Sequence, residues 1–133
     1  MLQMVSLEQL AAEADFISLN TDLNPSSVHL VNAKLLAGMK PTAVLINTSR
    51  GPVVDEAALV QALQQGRIGG AALDVFEVEP LPAESPLLNM DNVMLAPHNS
   101  NSSPAAWERV HWNTIRNLLI GLGLPTEDLE RYV

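Results

Sequence analysis

Leu7, Leu10, Ala11 and Ala14 recur at intervals of three and four, which predicts a short amphipathic helix, and Ser6 with Gln9 has the spacing of a capping box. Phe16-Ile17-Ser18-Leu19 then reads as a buried strand, stopped by Asn20-Thr21-Asp22 and the turn pair Asn24-Pro25. Asn32 is placed to cap a helix from Ala33 to about Met39, which Lys40-Pro41 closes because proline disfavours a helical residue before it. Ala43 to Ile46 is a second strand. Asp55 caps a third helix carrying Leu59, Val60 and Leu63, with Gly66 as its left-handed terminator. Gly70 to Phe76 is a third strand, whose small residues imply close packing, and Val93 to Ala96 a fourth. Ser103 and Pro104 open the last and longest helix, which Gly121, Gly123 and Pro125 finish.

Strands alternating with helices of about ten residues imply right-handed crossovers between parallel strands. The expected fold is therefore α/β: an incomplete Rossmann-like parallel sheet of about four strands, with flanking helices and a long C-terminal helix. The strands are continuous apolar runs, the pattern of a sheet covered on both faces. The chain has 133 residues, room for one modest core. Apolar residues make up 47% and charged ones 17%, which excludes disorder. Seven basic against fifteen acidic residues give a net charge of −8, so a phosphate-backbone surface for nucleic acid is not expected. There is no cysteine, no run of about 18 apolar residues and no basic leader, so neither a membrane span nor a signal peptide is expected and a cytoplasmic location is the default reading.

The polar residues fall where a parallel sheet binds ligands. Asn20-Thr21 close the first strand, Ser49-Arg50-Gly51 the second, Asp74 lies near the end of the third, and His98-Asn99 follow the fourth. All four ends share one edge, and open α/β sheets bind ligands in the crevice beyond it. There Arg50 is suited to a carboxylate, and His98 to proton transfer, with Glu77 or Glu79 as a carboxylate partner. Taken singly, each has a plainer reading: Arg50 a surface arginine, Asp74 the cap of a neighbouring loop, His98 a half-exposed loop residue, the loop acids solvated. His29 and His111 take the plainer reading outright. A metal site is not expected, because no histidines are paired at ligand spacing and the acids are not clustered with them.

Three motifs in order carry a family likeness: V-L-I-N-T-S-R-G-P-V-V-D-E-A-A-L-V-Q-A-L from Val44, G-A-A-L-D-V-F-E-V-E-P from Gly70, and N-V-M-L-A-P-H from Asn92. Together they resemble the NAD-dependent D-isomer-specific 2-hydroxyacid dehydrogenases, over a span from about Ser6 to about Leu122. The resemblance implies NAD or NADP as cofactor and a small 2-hydroxy or 2-oxo acid as substrate. It implies that Arg50 holds the substrate carboxylate, that His98 passes the proton, and that Glu79 pairs with His98 and raises its pKa. It also implies that Asp74 contacts the nicotinamide carboxamide side, with Asn20, Thr48, Ser49 and Asn99 lining the cofactor site.

The family's G-x-G-x-x-G turn is missing from the sequence. The likeness therefore implies a single partial dinucleotide-binding domain over residues 1–133, its second half, without the glycine-rich half or the substrate domain. Two functions follow as expectations: the catalytic half of an oxidoreductase, weakly active or inactive alone because the phosphate cradle is lacking, or a non-catalytic, self-associating module. The strand Phe16–Leu19 would be an unprotected edge, so a homodimer through it, or a separate chain supplying the absent half, is expected to cover it.

Overall fold

The computed structural model describes residues 3–100 and 102–126. The chain divides into two units, Met1–His98 and Asn99–Val133.

In the first unit, helix α1 (Leu7–Glu13) leads to strand β1 (Phe16–Leu19), α2 (Ala33–Ala37), β2 (Val44–Asn47), α3 (Glu56–Gln64), β3 (Gly70–Leu73) and β4 (Val93–Leu95). The four strands form one parallel sheet in the order β1-β2-β3-β4, as the alternation of elements predicts. Capping residues act where the sequence puts them. The side chains of Ser6, Asn32 and Asp55 accept from backbone N–H groups in the first turns of α1, α2 and α3. The capping box at α1 is half made, since the Gln9 amide donates forward to Glu13 (3.0 Å). Gly66 follows α3 with φ +62°, a conformation glycine takes without steric cost.

The register sets Ile17, Leu45, Ala71 and Val93 in one row, and Leu19, Asn47, Leu73 and Leu95 in another row of the same face. That face packs with Ala11, Leu36, Leu59 and Leu63 from the helices into one core. A fully buried leucine such as Leu45 or Leu59 contributes about 1.5–3 kcal/mol.

The opposite face corrects the expectation of a sheet covered on both sides. Phe16 is 70% and Met94 72% exposed, and Val44, Ile46 and Ala72 are only half-buried. All three helices of this unit contribute to the core on the other face, so an unbroken apolar run here marks one face packed within the unit and one that is not. Two boundaries also differ from expectation. The third strand ends at Leu73, and Asp74-Val75-Phe76 continue as buried loop. Helix α2 stops at Ala37, because the Gly38 and Met39 N–H groups turn back to Leu35 and Leu36.

In the second unit, α4 (Pro104–Gly121) starts at Ser103, whose side chain accepts from the Ala106 N–H, with Pro104 in the first turn. Trp107 and His111 lie one turn apart with ring centroids 5.6 Å from each other. Among the described residues, no helix is long and apolar enough to cross a membrane.

Candidate active site

The parallel order brings the ends of β2, β3 and β4 side by side. Strands pack about 4.8 Å apart, so the end of β2 lies about 10 Å from that of β4, with β3 between them. Arg50, Asp74 and His98 each follow one of these ends.

The turn that presents Arg50 is built by Asn47, the last residue of β2. Its side chain is 1% exposed. Its Nδ2 donates to the Arg50 carbonyl (3.0 Å), and its Oδ1 accepts from the Ser49 N–H (3.0 Å) and the Ser49 hydroxyl (2.8 Å). Thr48 and Arg50 are exposed, and an Arg50 Nη1 donates to the Ser49 carbonyl (2.7 Å). Next comes Gly51, where a Cβ would stand 1.8 Å from the Phe76 carbonyl oxygen, so only glycine lets this turn lie against the loop after β3. Asn47 builds this turn, and the sequence alone does not single it out. Its signal was a lone amide closing an apolar strand. Replacing it by leucine is expected to leave the turn's polar groups unmatched and to cost about 2–4 kcal/mol, measured by urea unfolding against Thr48→Ala as control.

Asp74 is 4% exposed, and its N–H donates to the Asn47 carbonyl (3.0 Å), carrying the β2–β3 pairing one residue past the strand. The loop beyond brings Glu79 back to Phe76 and His98. One Glu79 oxygen accepts from the Phe76 N–H (3.0 Å) and the other pairs with His98 Nδ1 (2.7 Å). The His98 hydrogen bond, then the Phe76 N–H, hold the Glu79 carboxyl below its ordinary value of 4.5. With an ionised acceptor, His98 Nδ1 must be the donor, so Nε2 of the neutral ring carries the lone pair. His98 has φ +54°, a left-handed conformation that few non-glycine residues adopt. The pair lines an open cavity of about 590 Å³, otherwise walled by apolar residues such as Phe76, Leu81, Leu88 and Leu95.

Of the other expected site residues, Asn20 follows β1 and is exposed, its amide donating back to the Ser18 carbonyl (3.3 Å) and hydroxyl (3.1 Å). Asn99 lies in the second unit, where its carbonyl accepts from the Ser102 N–H (3.0 Å). Among the described residues, no group of three or more histidines and acids is arranged to hold a metal.

Residues 1–100 match the sequence profile of the D-isomer specific 2-hydroxyacid dehydrogenase NAD binding domain. The chain belongs to that dehydrogenase family. A glyoxylate reductase of Korarchaeum cryptofilum is 46% identical over 118 residues, which are 89% of this chain and 36% of the relative. A D-isomer specific 2-hydroxyacid dehydrogenase from Xanthobacter autotrophicus Py2, solved with NADPH and MES, superposes with a TM-score of 0.76 at 42% identity, covering 91% of this chain and 50% of that one. The NADPH-dependent glyoxylate/hydroxypyruvate reductase of Sinorhizobium meliloti, solved with NADP and malonate, gives 0.71 at 44% identity, over 76% and 31%. The chain thus spans about a third of the length of the curated relatives it matches.

A nicotinamide dinucleotide is the cofactor of this dehydrogenase domain. The residues present fit one end of it: a buried carboxylate at Asp74 and the amide and hydroxyls of Asn20, Thr48 and Ser49 stand at the edge where such sheets bind dinucleotides. The glycine turn that grips pyrophosphate is not among the 133 residues.

Proposed function

We propose that this dehydrogenase chain carries the proton-transfer and carboxylate-binding groups of an oxidoreductase that interconverts a small 2-oxo acid and its 2-hydroxy acid. The observation that carries this reading is the 2.7 Å contact between Glu79 and His98 at the sheet edge that also bears Arg50. When bound, the nicotinamide supplies or accepts the hydride. Asp74, Asn20, Thr48 and Ser49 line its end of the crevice.

Arg50 binds the substrate carboxylate, because a planar guanidinium offers two parallel N–H donors to two carboxylate oxygens. The carbonyl beside that carboxylate then lies towards His98. In reduction, protonated His98 gives its Nε2 proton to the oxygen that gains charge, and in oxidation the neutral ring takes it back. Glu79 keeps Nδ1 as the donor side, so the exchangeable proton sits on Nε2, and it stabilises the ring when charged.

In this reading, residues 1–133 hold one part of a dinucleotide-binding domain, and the phosphate-gripping turn comes from residues outside it. Its place is the cytoplasm. The test replaces the matching stretch of the Korarchaeum glyoxylate reductase with this chain and assays glyoxylate and hydroxypyruvate with NADH or NADPH. Turnover by the chimera, with little or none by the chain alone, is the expected result. A chimera that folds and binds NADH yet turns over neither acid counts against the proposal.

Among the described residues β1 pairs on one side only and its Phe16 is exposed, which supports pairing with a further strand, and we place a second copy of the chain there. Light scattering at micromolar concentration is expected to give twice the 14.3 kDa chain mass. A soluble monomer would sink the dimer and favour a separate polypeptide at that edge.

A further inference from the structure

Two histidines in this fold share an arrangement. His29 has φ +50° and His98 has φ +54°, and among the described residues no other non-glycine residue has positive φ. Each pairs with an acid of the same three-residue segment, Glu77-Val78-Glu79. His29 Nε2 stands 2.6 Å from Glu77 Oε1, and His98 Nδ1 stands 2.7 Å from Glu79 Oε2. The segment is thus gripped at both ends.

His29 also reaches the turn that follows Arg50. Its N–H donates to the Pro52 carbonyl (2.9 Å), and the next bonds, Val31 N–H to Val53 and Asp55 N–H to Val31, continue the seam. Glu77 has a further tie, its N–H donating to Glu56 Oε2 at the start of α3 (3.1 Å). One residue therefore bonds to both loops that carry the proposed chemistry, the Arg50 turn by its backbone and the Glu79 loop by its ring. The pair is solvent-accessible, with side chains 47% and 31% exposed, and pairs of that kind add little to folding stability. A conformation disfavoured for histidine, kept for a contact that stabilises little, points to a role in placement.

We propose that His29 is a positioning residue: by holding Glu77 it keeps Glu79 against His98, and so fixes which nitrogen of His98 faces the substrate. The inference rests on the oxidoreductase reading for its purpose, but the contact itself is measured without turnover.

The experiment records long-range ¹H–¹⁵N correlations of the histidine rings and the Glu79 carboxyl titration, in the unmodified chain and in His29→Gly and Glu77→Ala. Glycine suits the left-handed backbone at position 29, so His29→Gly removes the ring without straining the chain. The unmodified chain is expected to hold neutral His98 chiefly as the Nδ1–H tautomer. In both variants that share should fall at least about two-fold, and the Glu79 carboxyl should titrate upward, towards the ordinary carboxylate range. His29→Gln, whose amide can donate to Glu77, should recover most of the preference. Melting midpoints should stay within about 3 °C of the parent.

An unchanged His98 tautomer and Glu79 titration in both variants overturns the proposal. So does a loss of the preference accompanied by a fall of more than about 10 °C in both midpoints, which would make the contact a general structural tie. If His29→Gly fails to fold, Glu77→Ala and Glu77→Gln decide the matter by the same readouts. Should the unmodified chain have no Nδ1–H preference, the Glu79–His98 site itself fails. Should the chimera be inactive while the tautomer responds as expected, the positioning stands and only the oxidoreductase reading falls. In an active chimera, His29→Gly should lower kcat about three- to ten-fold with KM little changed.

Discussion

Alanine at His98 is expected to lower kcat/KM for 2-oxo acid reduction in the chimera by about 10²- to 10⁴-fold, the usual worth of a positioned general acid. At 1.36 kcal/mol per factor of ten, that is about 3–5 kcal/mol of transition-state stabilisation. NADH affinity should stay close to the parent's, since the ring's assigned task is proton transfer. The pH dependence carries the sharper signature. Reduction needs a protonated ring, so its rate falls as pH rises. Oxidation needs the neutral ring and falls as pH drops. Both limbs should vanish in His98→Ala. Glu79→Gln keeps an oxygen for Nδ1 but removes the charge, and should cost an intermediate factor of about 10 to 10². A His98→Ala enzyme within about three-fold of the parent at every pH would remove His98 from the chemistry.

Glu79 also fixes the acid side of this behaviour. Its pKa lies below 4.5 in the fold, chiefly through the His98 hydrogen bond and then the Phe76 N–H. A carboxyl with a depressed folded pKa contributes stability that is fully present above its unfolded pKa, and that stability is lost as pH falls through the folded value. The loss therefore begins only in acid below about pH 4.5, and through the neutral range Glu79 remains the ionised acceptor that Nδ1 requires. In His98→Ala the carboxyl should move up towards its ordinary value, with the Phe76 N–H retained.

The fold was largely legible because its local signals agree. Ser6, Asn32, Asp55 and Ser103 stand ahead of apolar periods of 3.6, and each caps a helix in the structure. The end of β3 was not legible, because Asp74-Val75-Phe76 are as buried as the strand before them and hydrophobicity cannot mark where the ladder stops. Nor was the difference between the sheet faces, since Phe16 and Met94 are as apolar as Ile17 and Leu95, and only the placement of the helices separates them. Position along a parallel edge was enough to set Arg50, Asp74 and His98 after the ends of neighbouring strands. Partnership across the chain was not. His29 looked like an ordinary turn residue, and the acid that gives it meaning lies 48 positions away. Asn47 was hidden for the opposite reason: its three bonds are to neighbours two and three residues on, and a polar run after a strand does not say which member is buried.

The second large effect belongs to Arg50. Its replacement by alanine should reduce kcat/KM for glyoxylate by about 10²- to 10³-fold, since two charge-assisted hydrogen bonds to a carboxylate are each worth about 1.5–3 kcal/mol and water recovers part of that. Arg50→Lys should restore only part of the loss and remain about ten-fold or more below the parent, because an ammonium offers charge without the planar fork. The decisive comparison uses a substrate with the same reacting carbonyl and no carboxylate, glycolaldehyde in place of glyoxylate. If Arg50 acts through the carboxylate, the parent enzyme should discriminate strongly between the two, while the alanine variant treats both as poorly as the parent treats glycolaldehyde. The arginine's worth is then read as the collapse of that discrimination, free of any change in cofactor binding or folding common to both assays. Equal losses on both substrates would mean that Arg50 supports the turn built by Asn47 and Gly51 and does not grip the acid, and the carboxylate would need another cation to hold it.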